Sequence, residues 1–243
     1  MSSHPAERRY LEGDYLAQNP DWDSGDSVWK ADLVSAAIAR SGIEAREIVE
    51  VGCGAGGVLA ALRPAFPQAR LAGYDIAPGA QTFWAAYESA GIEFHVGDFL
   101  EQATPTVDVV LLLDVVEHLP DPIEFLSRIR PRARHFVFHF PLDLSVLSVL
   151  REHPLLHVRR KVGHLSYYTR GLALALLEEC GFRVLDVRFT AAGLNAPGRG
   201  AAARLASLPR AMLRAFSPDL AARLFGGETL IVVAASDAAV TID

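Results

Sequence analysis

From about residue 46 onward the chain alternates short β-branched runs with segments of helical period, and this alternation constrains its fold more than any other feature. Parallel strands can be joined only by long crossovers, and helical crossovers cover both faces of the sheet they connect. The runs Glu47–Val51, Leu71–Tyr74, Ile92–Val96, Asp108–Leu113, His135–Phe140, Phe182–Phe189 and Glu228–Ala235 predict the strands of an α/β domain. Asp108–Leu113 is a continuous apolar run flanked by acids, as expected of a central strand buried on both faces. Helices are expected from Pro78 to Glu88, from Asp121-Pro122 to the residue before Pro131, and over Thr169–Cys180, where Gly181 stops the last of them.

Residues 1–45 precede the first strand and form an N-terminal helical lid segment, with a helix over Ser27–Arg40 whose Trp29, Leu33, Ala36 and Ala37 pack on the sheet at spacings of three and four. Residues 46–243 form the main domain, with inserts at 142–168 and 190–227. The second insert is too long for a structureless loop and reads as helical from Ala201 to Phe225.

Composition narrows the functional class. A formal net charge of -6 argues against a protein that holds nucleic acid by neutralising phosphates. The longest apolar stretch, Val107 to Val116, is interrupted by Asp108 and Asp114, so no membrane span is expected. Two cysteines, Cys53 and Cys180, and an N-terminal sequence without an apolar stretch predict a cytoplasmic location.

The turn after the first strand, Gly52-Cys53-Gly54-Ala55-Gly56-Gly57, fits G-x-G-x-x-G through Gly52, Gly54 and Gly57, so a ligand can approach the backbone and the N–H groups of the following helix. Several nucleotide-like ligands use such a turn. The acids at the strand ends discriminate among them: Glu50, Asp75, Asp98 and Asp114 all fall where the carboxyl ends of parallel strands face one crevice. Four carboxylates repel a pyrophosphate but suit a ligand with a sulfonium, an amino group and sugar hydroxyls.

These residues resemble class I S-adenosylmethionine-dependent methyltransferases. Val49 to Gly57 looks like their glycine-rich motif, Asp75-Ile76 like the ribose-binding acid and its neighbour, and Asp98-Phe99 like the pair that meets the adenine amino group and ring. The segment Asp108 to Pro122 and the stretch His164 to Thr169 are similar to those of small-molecule enzymes, including ubiquinone-type and sugar or natural-product O-methyltransferases. The resemblance covers about residues 47–190. It implies a Rossmann-like seven-stranded, mostly parallel sheet with an antiparallel last strand, S-adenosylmethionine as cofactor and S-adenosylhomocysteine as product. The implied cofactor-binding residues are Glu50, Gly52, Gly54, Gly56, Asp75, Ile76, Asp98, Phe99 and Asp114.

A hydroxyl acceptor needs its proton removed, and histidine suits that task near neutral pH. His118, just beyond the fourth strand, is the first catalytic candidate, and His164 the second. Tyr15, Trp22, His139, Tyr167 and Tyr168 are candidate substrate-binding residues, with Lys30 a cation in the lid. Because some ubiquinone-type relatives need a divalent ion, Glu117 with His118 is an alternative ligand pair, and His153 and His157 have a helical metal-pair spacing; the expectation is nonetheless no metal site.

The expected reaction is therefore methyl transfer to a small molecule, at oxygen, in natural-product, sugar or isoprenoid-like metabolism. A non-catalytic S-adenosylmethionine-binding scaffold is the alternative. A short-chain oxidoreductase is excluded because no tyrosine is followed four residues later by lysine. Arg204 and Arg210, among the arginines of the late insert, are candidates for gripping an acidic acceptor, and residues 200–225 for peripheral membrane contact.

Overall fold

A computed structural model describes residues 5–20, 22, 24–102, 106–190 and 208–236. Its seven strands are β1 (Glu47–Val51), β2 (Arg70–Asp75), β3 (Ile92–Val96), β4 (Val107–Leu113), β5 (Ala133–Pro141), β6 (Phe182–Thr190) and β7 (Thr229–Ser236). They form one sheet in the order β3-β2-β1-β4-β5-β7-β6. β1 pairs parallel with both β2 and β4, while β7 runs antiparallel between β5 and β6. The chain thus builds outward through β2 and β3, then returns to the other side of β1 with β4. That reversal opens a crevice at the carboxyl ends of β1 and β4.

The apolar run of β4 is explained by its two covered faces. Val110 and Leu112 join Phe136 and Phe138 in one core, whereas Val109, Leu111 and Leu113 join Val137 and Ile231 in the other. The first is closed by α6 (Pro122–Ile129) and α9 (Arg170–Glu179), and the second by α3 (Ser27–Arg40) and α4 (Gly57–Leu62). Asp121 starts α6 by accepting from the Glu124 N–H at 2.9 Å, and Thr169 starts α9 by accepting from Leu172.

Three expectations are corrected. The buried stripe of α3 is Ala31, Val34, Ala37 and Ile38; Ala36 is exposed and Trp29 turns toward the crevice, so the helix is rotated from the expected register. The helix expected from Pro78 to Glu88 is broken into a 3-10 turn, the short α5 (Gln81–Trp84) and a second 3-10 stretch, in a segment carrying Thr82, Phe83, Trp84 and Tyr87, which are weak helix formers. Over the described residues 208–225, the one continuous helix expected is two, α10 (Leu208–Phe216) and α11 (Pro218–Phe225). Pro218 has no N–H to continue α10, and Ser217 caps α11 by accepting from Leu220. Arg199 and Arg204, with residues 191–207, lie outside the described residues.

Before α3, α1 (Pro5–Leu11) and α2 (Asp14–Gln18) form an arm across the crevice. Between β5 and α9 stand α7 (Val146–Arg151) and α8 (His153–Lys161).

Candidate active site

The crevice is a cavity of about 460 Å³ that runs from the glycine-rich turn to His164. The backbone of that turn explains its composition. Gly54 has φ +49°, and a Cβ there would fall 2.4 Å from the indole of Trp22. Gly52, with φ +76°, would meet Val115 at 2.8 Å. Both border the crevice. Gly56 is not in the lining, and a Cβ there would strike the Phe94 ring at 2.6 Å, so the packing of the turn under α4 requires glycine here.

All four strand-end acids border the cavity, joined by Asp26 and Glu117. Among the described residues that line it, Lys30 is the one lysine or arginine. Asp75 is held by two backbone donors, with Gly54 N–H reaching Oδ2 and Ala77 N–H reaching Oδ1, each at 2.8 Å. Burial raises its pKa, and the two N–H groups work against that rise. Asp98 accepts from the Leu100 N–H at 2.8 Å. Glu50 is buried with Oε2 unpartnered. Burial pushes its pKa up to about 8; Lys30 opposes the shift, and Asp75 and Asp26 add to it.

Lys30 bridges two carboxylates, Asp26 at 3.0 Å and Asp114 at 2.8 Å. Burial works to lower its pKa, but the two acids reverse the effect and raise it. Asp114, in the left-handed region at φ 56°, also accepts from His139 Nδ1 at 2.6 Å. Burial alone would lift the Asp114 pKa; His139 and Lys30 overcome it and hold the group below the usual carboxylate range. The other face of His139 meets the Thr229 hydroxyl at 2.9 Å from Nε2, and Thr229 in turn contacts Thr190.

At the far end of the crevice, the Tyr10 hydroxyl lies 3.0 Å from Nδ1 of His118. Burial, with His164 adding to it, pulls the His118 pKa down to about 4. His164 is buried and donates from Nδ1 to Asp143 at 2.6 Å. The two imidazoles meet edge to face with centroids 4.9 Å apart. Glu117 is wholly buried, neither carboxyl oxygen has a hydrogen-bond partner, Oε1 lies 3.9 Å from His118 Nε2, and burial followed by the Asp114 charge raises its pKa strongly. Glu117, His118 and His164 each bring one donor atom within 4.8 Å of the others, a set able to hold a cation as well as to carry a proton. His153 and His157 lie away from it, exposed on α8.

Of the remaining expected residues, Ile76, Tyr15, Trp22 and His139 line the crevice. The rings of Tyr15 and Trp22 meet at a tilt of 60° with centroids 5.3 Å apart, and Trp22 continues to Phe83 at 6.1 Å. Phe99 borders the cavity but is only 1% exposed, held edge-on against Tyr74. Tyr167 and Tyr168 are not part of the lining. Tyr167 donates to the Leu155 carbonyl at 3.0 Å, and Tyr168 packs on Phe140. Trp29, expected to pack on the sheet, meets His139 of β5 edge-on at 5.7 Å and also borders the crevice. Sequence reasoning missed Tyr10, Asp143 and Thr229. Asp143, two residues past the end of β5, obeys the same strand-end rule as the recognised acids.

The four aspartates of the lining, against one ammonium, make this crevice unsuited to a pyrophosphate, and with the unpartnered buried oxygen of Glu50 they suit a cationic, hydroxyl-bearing ligand.

Comparison with known proteins agrees. A family model described as a methyltransferase domain matches residues 27–187. A search of curated proteins returns no significant match. Among solved structures, a methyltransferase in complex with the Haloferax volcanii Trm112 methyltransferase activator superposes with a TM-score of 0.62 at 18% identity, over 97% of this chain and 99% of that one. The plantazolicin methyltransferase BpumL gives 0.61 at 16% identity over 95% and 93%. Magnesium protoporphyrin IX methyltransferase from Synechocystis PCC 6803, with bound S-adenosylhomocysteine, gives 0.55 at 19% over 86% and 82%. At these identities the likeness is one of fold.

Proposed function

Because the chain belongs to the methyltransferase domain family, a class I fold that uses S-adenosylmethionine, we propose that it methylates a hydroxyl oxygen of a small molecule with His164 as general base. The observation that carries this reading is His164, which borders the same crevice as the glycine turn and the acids and is held from behind by Asp143. With Nδ1–H donated to Asp143, the proton-accepting nitrogen of His164 is Nε2. His118, its pKa drawn down to about 4, lies well below the working pH at which a proton acceptor is most effective.

The cofactor supplies an electrophilic methyl group already activated by its sulfonium charge. For the donor's amino group the reading assigns Glu50, whose unpartnered oxygen wants a donor. Asp75, with its oxygens fixed by two N–H groups, is assigned to the ribose hydroxyls, Ile76 and Phe99 to the base, and Asp98 to its amino group. Gly52 and Gly54 let the ligand approach the backbone. Asp143 keeps the His164 ring oriented while Nε2 takes the acceptor's proton, and Tyr10, Tyr15, Trp22 and Trp29 exclude water and shape the far wall. That aromatic wall favours a flat or apolar acceptor of the natural-product or isoprenoid kind over a sugar.

The test follows transfer from methyl-labelled S-adenosylmethionine to a panel of phenols and alcohols. With the best acceptor, His164→Gln should lower kcat by about 10²-fold or more while leaving the dissociation constant of the donor unchanged. Turnover equal to that of the wild type removes His164 from the role.

A further inference from the structure

One part of the surface is built inside out. In α7 the buried residue is Ser148, while Val146, Val149 and Leu150, spaced along one helical face, are 49%, 56% and 76% exposed. α8 contributes no buried residue and exposes Leu156 beside Arg159, Arg160 and Lys161. Burial of an apolar face is what ordinarily holds a short helix on a domain. Here the Ser145–Ser148 capping box starts α7, and α8 is tied to the domain by Arg9 of α1, which donates to the Arg160 carbonyl at 2.9 Å, and by Tyr167, which donates to the Leu155 carbonyl at 3.0 Å. Alongside α8, facing Gln18, runs an open groove of about 500 Å³ lined by Arg151, His153, His157, Arg160 and Lys161, with Glu152 the one acid. In a chain of net charge -6 this is a local reversal of sign.

We propose that α7 and α8 form a docking face for an anionic phospholipid bilayer, with Val149 and Leu150 entering the interface and Arg159, Arg160 and Lys161 meeting acidic headgroups. Exposed aliphatic side chains next to clustered basic ones are the pairing such a surface selects. Charge decides the occupant. A second copy docked symmetrically would set this cationic patch against itself, and a neutral bilayer would leave its charges unanswered. The nearby α11 packs on α7, and α10 exposes Met212 and Phe216 at 67% and 87%, adding apolar surface in the same quarter of the molecule. The face also adjoins the crevice mouth: α8 runs directly into Val162 and His164, both of which line the cavity. An acceptor dissolved in the bilayer would enter there. The docking face itself is read by binding alone and stands whether or not the methyl-transfer reading does.

The experiment is sedimentation of the full chain with vesicles of phosphatidylcholine, or of phosphatidylcholine mixed with phosphatidylglycerol, at low and high salt. The chain should sediment with the mixed vesicles only, and less at high salt, where screening weakens the headgroup contacts. Arg160→Glu combined with Lys161→Glu should reduce partitioning about tenfold or more. Leu150→Ser should reduce the fraction that resists salt. Unchanged thermal melting and donor affinity of these surface variants certify that they are folded. Several outcomes would overturn the proposal: no sedimentation with acidic vesicles at low salt, equal sedimentation with both kinds, or variants indistinguishable from wild type. A concentration-dependent dimer abolished by Leu150→Ser assigns the face to a second copy instead. Tighter retention on polyglutamate than on acidic vesicles, insensitive to Leu150→Ser, assigns it to an acidic protein.

Discussion

Glu50 and His118 pull the pH dependence of stability in opposite directions, and their windows separate the two. The carboxyl of Glu50 keeps its proton to about pH 8 in the folded chain but only to about 4.5 when unfolded. Between those values the folded state holds the extra proton, so its contribution to stability falls as pH rises. For His118 the folded value of about 4 lies below the ordinary 6.5, the unfolded state holds the extra proton between them, and stability is lost as pH falls through that range. Above pH 6.5 the Glu50 effect is no longer offset by His118, whereas Glu117, also raised, acts in the same direction as Glu50. Urea denaturation at pH 6.5 and pH 8 should therefore show a loss on the order of 2 kcal/mol from Glu50, and Glu50→Gln should abolish that part of it. A variant with the same loss as wild type would place the proton elsewhere. If His164 is the base proposed above, Asp143 positions it, and Asp143→Asn should lower kcat and alter the pH profile of turnover while leaving acceptor KM nearly unchanged. A purely structural role would instead lower melting temperature and leave the profile in place.

Most elements were legible in the sequence because their signals are local. The alternation of apolar runs, the proline and glycine stops, and the Asp121 and Thr169 caps located strands to within one or two residues and placed α3 at Ser27–Arg40. The signal failed where the deciding contact is distant in the chain. Trp29 meets the sheet at its crevice edge, on His139, and the neighbouring Lys30 reaches Asp114, 84 positions later, a contact no helical periodicity contains. Tyr10 meets His118 across 108 positions, and His164 meets Asp143 across 21. Tyr167 and Tyr168 looked like pocket residues because they follow His164, yet the extended segment there turns them to α8 and to the core. The caps themselves are testable: Asp121→Ala should cost about 1 kcal/mol in chemical denaturation and leave donor affinity within twofold, since the cap lies beyond the crevice acids. In the glycine turn the reverse is expected. Gly54→Ala must displace the Trp22 indole from a 2.4 Å contact, and calorimetry should show donor affinity reduced tenfold or more with a much smaller change in melting temperature.

On the scale of the whole molecule, the crevice is assembled from both extremes of the described chain. The arm carrying Tyr10, Tyr15 and Trp22 closes one side, and the sheet supplies the acids at its centre. Thr229, the first residue of β7, completes the His139 contact because the antiparallel strand inserts between β5 and β6. This insertion has a consequence for biosynthesis. While the ribosome is still adding residues before 229, β5 and β6 lack the strand that joins them, and the polar chain from Lys30 through Asp114 to His139 ends without its last hydroxyl. A nascent polypeptide halted there already carries every residue assigned to the donor, yet its sheet stops at β5 and leaves β6 unattached.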